Sequence, residues 1–191
     1  SVISENNVLR RIDILDSAKG DFKEPLKGDT SEFDNSILTG KRIIMDFDQG
    51  GLAAITSIGL AYSWYYPSGK GERGGKREEQ QNSVSGDTIT FAVQDERLST
   101  VTVTGGGIGT FLDTKITRES DSTFAKQTDT IDYTGSRIVY DLNDSTISLL
   151  QNATVNSGTV SLSAYQIRFQ TRHRLVKAYS ATVARDSSLV D

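Results

Sequence analysis

A short phrase that recurs four times constrains the fold of this chain more than any other feature. Each copy begins with an apolar, a hydroxyl and a small residue and continues as an apolar alternation of period two. The copies start at Leu38, Val84, Tyr133 and Leu162, and their small residues are Gly40, Gly86, Gly135 and Ala164. Period two is typical of strands that bury one face. Repetition of such a unit predicts stacked strands, with function on a surface or groove that the repeats build together.

Each copy is followed by a polar turn and a second apolar strand. The turns lie at 48–51, 94–97, 143–146 and 170–174, and the second strands begin at Leu52, Leu98, Ile147 and Leu175. Asx and glycine residues between alternating runs indicate hairpins, because they accept positive φ. Threonine, valine, isoleucine and tyrosine dominate residues 38–183, and these residues prefer a pleated surface. The sequence therefore predicts an all-β fold.

The repeats divide the chain into three segments. We expect residues 1–37 to form an N-terminal cap or extension, 38–184 to form the β domain, and 185–191 to form a tail. Residues 8–15 fit either a strand or a short helix. The polar insertion 68–82 has no apolar residue, so we expect a mobile loop there.

Composition excludes several classes of function. A chain of 191 residues fits one ordinary domain with a core of its own. The formal net charge of −4 gives no reason to expect nucleic-acid binding, which needs a basic face. Without cysteine there are no disulfides, thiol nucleophiles or thiolate metal sites. No apolar run reaches the roughly 18 residues of a membrane-spanning helix, and the sequence shown begins without a secretory signal.

The sequence offers little for catalysis. The single histidine, His173, lies between two arginines at a predicted turn, where neighbouring cations lower its affinity for protons and metals. No Gly-x-Ser-x-Gly elbow is present. An enzyme of carbohydrate or lipid modification would need carboxylates that converge in a cleft, and the acids are scattered along many strands. We therefore predict no enzymatic activity, no cofactor and no metal site.

Two segments imitate ligand-binding loops. Residues 46–50 open like a calcium loop, but Ser57 stands where a bidentate glutamate is needed, so we expect an acidic hairpin turn. Residues 105–107 are consecutive glycines without the Gly-Lys-Ser/Thr of a phosphate loop. We expect these glycines to form a bulged or bent strand that another backbone approaches closely.

The apolar face of the strands is the best candidate for a functional surface. Alternation places on this face Ile43, Met45, Phe47, Ile89, Phe91, Val93, Val101, Val103, Ile138, Tyr140, Leu142, Leu149, Ile167 and Phe169. Two interpretations remain open. The face forms the packed core of a β-sandwich, or two facing sheets stay apart and leave an apolar slot. Each methylene buried in such a slot contributes about 0.8 kcal/mol, so acyl chains would bind there without polar chemistry.

One segment resembles a known family. Residues 138–142 read Ile-Val-Tyr-Asp-Leu, and residues 149–155 read Leu-Leu-Gln-Asn-Ala-Thr-Val. This pattern resembles the OstA-like domain of the lipopolysaccharide-transport proteins LptA and the N-terminal part of LptD. The family's phrase continues Leu-x-Gly-Asn-Ala-x-Val, and Gln151 replaces its glycine. The resemblance covers residues 38–180 and is strongest over 129–170.

The resemblance implies a V-shaped β-jellyroll, or β-taco, with strands stacked in two facing sheets. It implies that the apolar interior carries the acyl chains of lipid A in the periplasm of a Gram-negative bacterium. It also implies stacking with other Lpt jellyroll proteins, or self-association, through exposed edge strands. The residues alone leave open an alternative function, that of a structural β-solenoid or sandwich module in a surface adhesin or filament.

Overall fold

The computed structural model contains strands and turns and no helix in the part of the chain that it describes. The described residues are 1–6, 8–26, 29–66, 70–73, 76–118, 124–158, 160–171 and 175–185. The strands are β1 (Val2–Glu5), β2 (Val8–Leu26), β3 (Asp29–Asp48), β4 (Gly51–Tyr66), β5 (Lys70–Arg73), β6 (Lys76–Gln94), β7 (Arg97–Arg118), β8 (Phe124–Asp141), β9 (Thr146–Ser157), β10 (Val160–Gln170) and β11 (Leu175–Arg185). Within these ranges, no helix is long and apolar enough to cross a membrane.

All strands belong to one antiparallel sheet. Its order follows the chain as β1-β2-β3-β4-β6-β7-β8-β9-β10-β11, and the short β5 pairs with β6. Successive strands are joined by turns, as at Gln49–Gly50 and Asp95–Glu96. This meander confirms the predicted all-β fold and the hairpin turns of the first three repeats. Part of the fourth turn, 172–174, lies outside the described residues.

Every long strand from β2 onward is bent, and the bends line up across the sheet. Register shifts separate Leu15 from Ala18, Thr39 from Arg42, Ile58 from Ala61, Ser85 from Thr88, Thr104 from Gly107, Thr134 from Arg137 and Ala164 from Gln166. Alternate strands carry positive φ at this column, at Asp16–Ser17, Gly59–Leu60, Gly105–Gly106, Gln151–Asn152 and Ser180. Bulges of this kind bend a strand and break its ladder locally. The column of bulges therefore folds the sheet along one line.

The small residues of the sequence repeat lie beside this line on the intervening strands. At Gly86, a Cβ atom would come within 2.5 Å of Cγ1 of Val103. At Gly107, which lies at the bend of the adjacent strand β7 and outside the repeat, it would lie 2.5 Å from Cδ1 of Ile138. Glycine is required because an apolar side chain of the neighbouring strand fills the space that a Cβ would need. The predicted bend at 105–107 is confirmed, since Gly105 and Gly106 have φ of +81° and +80°.

The line of bulges divides the sheet into two arms. We call arm 1 the part that carries the turns at 49–50, 95–96 and 142–145, and its strand segments are 8–15, 42–48, 51–58, 88–94, 97–104, 137–141, 146–150, 166–170 and 175–179. Arm 2 lies on the other side of the line, and its strand segments are 18–26, 29–39, 61–66, 76–85, 107–118, 124–134, 153–157, 160–164 and 181–185. The two facing sheets of the predicted jellyroll are these two arms of one continuous sheet.

Ring contacts show that the arms face each other. Phe22 contacts Phe91, Tyr65 contacts Tyr140, and Phe111 contacts Phe169, with centroids 6.3, 6.2 and 5.7 Å apart. The partners lie on strands three places apart in the sheet order. On a flat sheet, such strands would be separated by about 14 Å. The V shape therefore brings arm 2 over arm 1 with a constant offset of three strands.

The N-terminal segment joins the same sheet. Residues 8–15 form part of strand β2, and β2 pairs with β3 along its length. Ala18 is buried in the shared core. The proposed boundary between 37 and 38 stays a prediction. In the insertion 68–82, residues 70–73 form β5 and 76–82 extend β6, so its described parts are strands, where we expected a mobile loop.

Candidate functional site

The predicted apolar residues form the inner face of arm 1. Most of them are buried in one cluster: Ile43, Ile89, Phe91, Val101, Val103, Ile138, Leu149, Ile167 and Phe169. Met45, Tyr140 and Leu142 are partly buried and pack against that cluster. Val93 lines a cavity beside it, and Phe47 is partly exposed near the end of β3. The strand alternation thus placed these residues on one side of the sheet.

The inner face of arm 2 completes the interior, and the sequence reasoning missed it. Its buried apolar residues include Leu38, Ala61, Val84, Phe111, Tyr133, Ala153 and Val155. The alternation in 107–113 and 131–135 was a signal for this face. This signal was overlooked because the first residues of each repeat, such as Leu38, were interpreted as the start of an arm 1 strand. They belong to a second buried surface.

The two inner faces touch along much of their length. The three aromatic pairs between the arms meet edge to face, at interplanar angles of 79°, 76° and 77°. Such pairs add about 0.5–1.5 kcal/mol beyond the area that they bury. Side chains between them, such as Ile55 and Leu149, have no solvent exposure. In this structure the arms are closed onto each other over the centre of the V.

A cavity of about 290 Å³ opens between the arms at the end of the V near β2. Its apolar lining comes from both arms and consists of Phe22, Leu52, Ile55, Val93 and Leu98. Asp21, Lys23 and Glu96 add charged groups to the lining. A second cavity between the arms, lined by Tyr65, Val103 and Tyr140 among others, measures only about 20 Å³. The larger cavity therefore gives access to the interior, and it combines an apolar lining with charged groups.

One polar contact lies within the inner face of arm 2. The phenol of Tyr133 donates a hydrogen bond of 2.5 Å to Oδ1 of Asn82. The tyrosine ring covers Gly109, where a Cβ atom would lie 2.2 Å from the ring carbon Cζ. Burial raises the pKa of Tyr133 above its ordinary range, and the bond to Asn82 opposes this only in part. The pair remains neutral, so it satisfies a buried amide without placing a charge inside the V.

Ion pairs lie on the outer face of arm 1. Arg42 donates to both carboxylate oxygens of Asp13, at 2.9 and 2.5 Å. The hydrogen bond from Arg42 lowers the pKa of Asp13 below its ordinary value, although partial desolvation opposes the shift. Asp46 accepts a 2.6 Å bond from Nε of Arg11. The calcium-like segment 46–50 is a hairpin turn, as expected, and its first carboxylate is engaged by an arginine.

The described residues contain no group of three or more histidine, cysteine, aspartate or glutamate side chains that could hold a metal ion. His173 lies outside those residues, and its role as a solvated turn residue stays a prediction. What the described geometry offers is an apolar interior with a partly charged entrance. Such an interior can bind apolar groups.

Comparisons with known proteins identify the architecture. No protein-family model matches the sequence, and no curated protein sequence matches it. Among solved structures, the chain is similar to LptH of Pseudomonas aeruginosa, described as the LptA homologous periplasmic component of the lipopolysaccharide transport device. The match has a TM-score of 0.50 and 15% sequence identity, and it covers 81% of this chain and 85% of LptH. The chain thus has an LptA-like fold.

Proposed function

We propose that this chain is a periplasmic transport protein that binds lipopolysaccharide, with the lipid A acyl chains between the two arms. The observation that carries this proposal is the inner face of arm 1. Residues from β3 through β10 line it with aliphatic and aromatic side chains, and it faces a second apolar surface across the V. Burial of each methylene contributes about 0.8 kcal/mol, so this surface suits acyl chains.

The entrance supports the same proposal. The cavity near β2 offers Phe22 and Leu98 to an apolar chain and Lys23 and Glu96 to a polar headgroup. An amphiphile would enter there with its acyl chains first. The likeness to LptH shows the shared fold. The resemblance of residues 129–170 to OstA-like domains is an independent reason to favour lipopolysaccharide among acylated lipids.

Binding requires the arms to separate. The cavity of about 290 Å³ occupies only the end of the V, and the centre is filled by the protein's own side chains. Lipid would replace the contacts of Phe22 with Phe91 and of Tyr65 with Tyr140 by contacts of similar apolar character. Because one apolar surface is exchanged for another, the cost of opening is offset when the ligand enters.

Site-specific photocrosslinking in cells tests the proposal. A photoreactive phenylalanine analogue at Phe91 or Tyr140 faces the interior, and the same analogue at Thr102 faces outward as the matched control. We expect lipopolysaccharide adducts at the two inner positions and none at Thr102. Absence of lipid adducts at every inner position would refute lipid transport.

The closed packing favours one alternative function, a structural module of a surface adhesin or filament. In that case the interior never opens, and Ile55 and Leu149 remain permanently buried. The two functions differ in a simple measurement. A ligand that binds only the folded state raises the melting temperature with its concentration. We expect lipopolysaccharide to do so here, whereas a scaffold module would show no shift.

Partners in this proposal bind through the ends of the sheet. Strand β1 pairs only with β2, and β11 pairs only with β10, among the described residues. Both end strands expose apolar side chains, Val2 and Ile3 on β1 and Val176 and Tyr179 on β11. Unpaired strand edges are templates for strand addition. We propose that other Lpt jellyroll proteins, or further copies of this chain, stack on these edges.

A further inference from the structure

A concave site on the outer face of arm 1 is separate from the interior. It measures about 180 Å³ and is lined by Asp144, Thr146, Arg168, Gln170, Leu175, Lys177 and Tyr179. Ile167 and Phe169 are buried on the inner side, so Arg168 and its neighbours of the same parity point outward. The site therefore belongs to the surface of β9, β10 and β11 and not to the proposed lipid groove.

Two cations lie directly opposite each other in this site. Arg168 of β10 is the register partner of Lys177 of β11, and directly opposite side chains in antiparallel strands have Cβ atoms about 4.5–5.5 Å apart. No carboxylate of the described residues lies within the 4.0 Å of an ion pair to either cation. Like charges in this position destabilise a strand pair. An anion bound between the two cations would attract both of them and offset their mutual repulsion.

The remaining lining fits a phosphate group. Arg168 provides a planar fork for two oxygens, and Lys177 provides a mobile point charge. Gln170, Thr146 and Tyr179 add an amide and two hydroxyls that can donate hydrogen bonds to the remaining oxygens. Asp144 is the one carboxylate in the lining, and it would repel a dianion.

We infer that this outer site binds a phosphate monoester, whether carried by a soluble sugar or by a lipid headgroup. The inference stands independently of lipid binding between the arms, because the two sites use opposite faces of β10. It predicts that charge at Arg168, Lys177 and Asp144 controls the affinity for phosphate, with opposite signs for the cations and the acid.

Titration calorimetry or NMR shifts with glucose 1-phosphate, at constant ionic strength, would test the site. We expect the double variant Arg168→Gln/Lys177→Gln to bind the phosphate ester at least about tenfold more weakly than the wild type, because charge-assisted hydrogen bonds are lost. Asp144→Asn should bind more tightly than the wild type. Lys19→Gln removes one positive charge from an exposed position on arm 2, outside the site, and serves as the control for loss of charge.

Vesicles distinguish the two sources of phosphate. Binding to phosphatidic acid in phosphatidylcholine vesicles, lost in the double variant, would assign the site to lipid-borne phosphate. Binding of glucose 1-phosphate without vesicle binding would assign it to a soluble ester. Equal affinity of the wild type, the double variant and Lys19→Gln for both probes would overturn the inference. Melting curves of each variant confirm that the exposed substitutions leave the fold intact.

Discussion

The ring of Phe111 on arm 2 meets the ring of Phe169 on arm 1 edge to face, with centroids 5.7 Å apart. Phe22 and Tyr65 make the same kind of contact further along the V, each with a ring three strands ahead. These pairs are the contacts that any ligand between the arms must replace. The same aromatic side chains stabilise the closed state and would line the groove when the arms separate.

Linking the arms at their entrance should abolish lipid uptake. Lys23 and Leu98 line the same cavity from opposite arms, and the chain has no native cysteine. We expect Lys23→Cys/Leu98→Cys bridged by a short bismaleimide to lose binding of fluorescent lipopolysaccharide. The same variant treated with N-ethylmaleimide carries similar adducts without the link and should still bind. Full binding by the bridged protein would show that the arms do not need to separate.

Gly86 of the repeat should be intolerant of a side chain. A Cβ at Gly86 would lie 2.5 Å from Val103, which is itself fully buried. We expect Gly86→Ala to lower the free energy of unfolding by about 1–3 kcal/mol, the usual cost of overpacking. Gly51→Ala is the control, because its nearest neighbour lies at 3.6 Å. Urea unfolding measures both, and equal stabilities would contradict the role assigned to the bend.

Relieving strain at the bend should stabilise the protein. Gln151 has φ of 58° and its side chain is exposed, and a left-handed conformation costs an L-residue about 1–2 kcal/mol. Gln151→Gly removes that cost but adds chain entropy to the unfolded state, so we expect a net gain of up to about 1 kcal/mol. Gln127→Gly, at an exposed and regularly paired position of β8, should be destabilising. A lower melting temperature for Gln151→Gly would refute the strain argument.

The sequence predicted the strands of arm 1 because a strand that buries one face alternates apolar and polar residues with period two. Inward residues such as Ile43 and Ile89 alternate with polar ones, and their turns carry asparagine, aspartate or glycine. The repeat also marked Gly86, although its role became visible only when Val103 was found in the space beside it.

Residue types predicted the bend only in β7, where consecutive glycines mark it at 105–107. The positive-φ positions of other strands include Asp16–Ser17 in β2, Gly59–Leu60 in β4 and Gln151–Asn152 in β9, which share a backbone conformation and no common side-chain chemistry. The contact of Phe111 with Phe169 could not be predicted from the sequence either. It depends on the angle between the arms, which the whole column of bulges sets together.

The ion pair between Asp13 and Arg42 should make stability depend on acidic pH. The hydrogen bond from Arg42 lowers the pKa of Asp13 in the folded protein below its ordinary value of 3.8. Its contribution is therefore complete above that value and is lost as the pH falls through the lower folded pKa. We expect the melting temperature of Asp13→Asn to fall less than that of the wild type between about pH 5 and pH 2. Asp21→Asn removes an exposed carboxylate and is the matched control.

The buried bond between Tyr133 and Asn82 should make stability depend on alkaline pH with the opposite sign. Burial raises the pKa of the phenol above its ordinary value of 10.0, so the unfolded chain loses this proton first and stability falls as the pH rises above 10.0. Tyr133→Phe removes that dependence. It also leaves the amide oxygen of Asn82 without its donor, which should cost about 1–3 kcal/mol at neutral pH.

Urea unfolding at neutral and alkaline pH measures both effects of Tyr133→Phe. The matched control is Tyr165→Phe, because Tyr165 is 62% exposed. We expect Tyr133→Phe to be less stable than Tyr165→Phe at neutral pH and to lose stability less steeply as the pH rises. If both variants lost stability in parallel above pH 10.0, the alkaline transition would belong to other groups, and Tyr133 would not be held neutral by its burial between the arms.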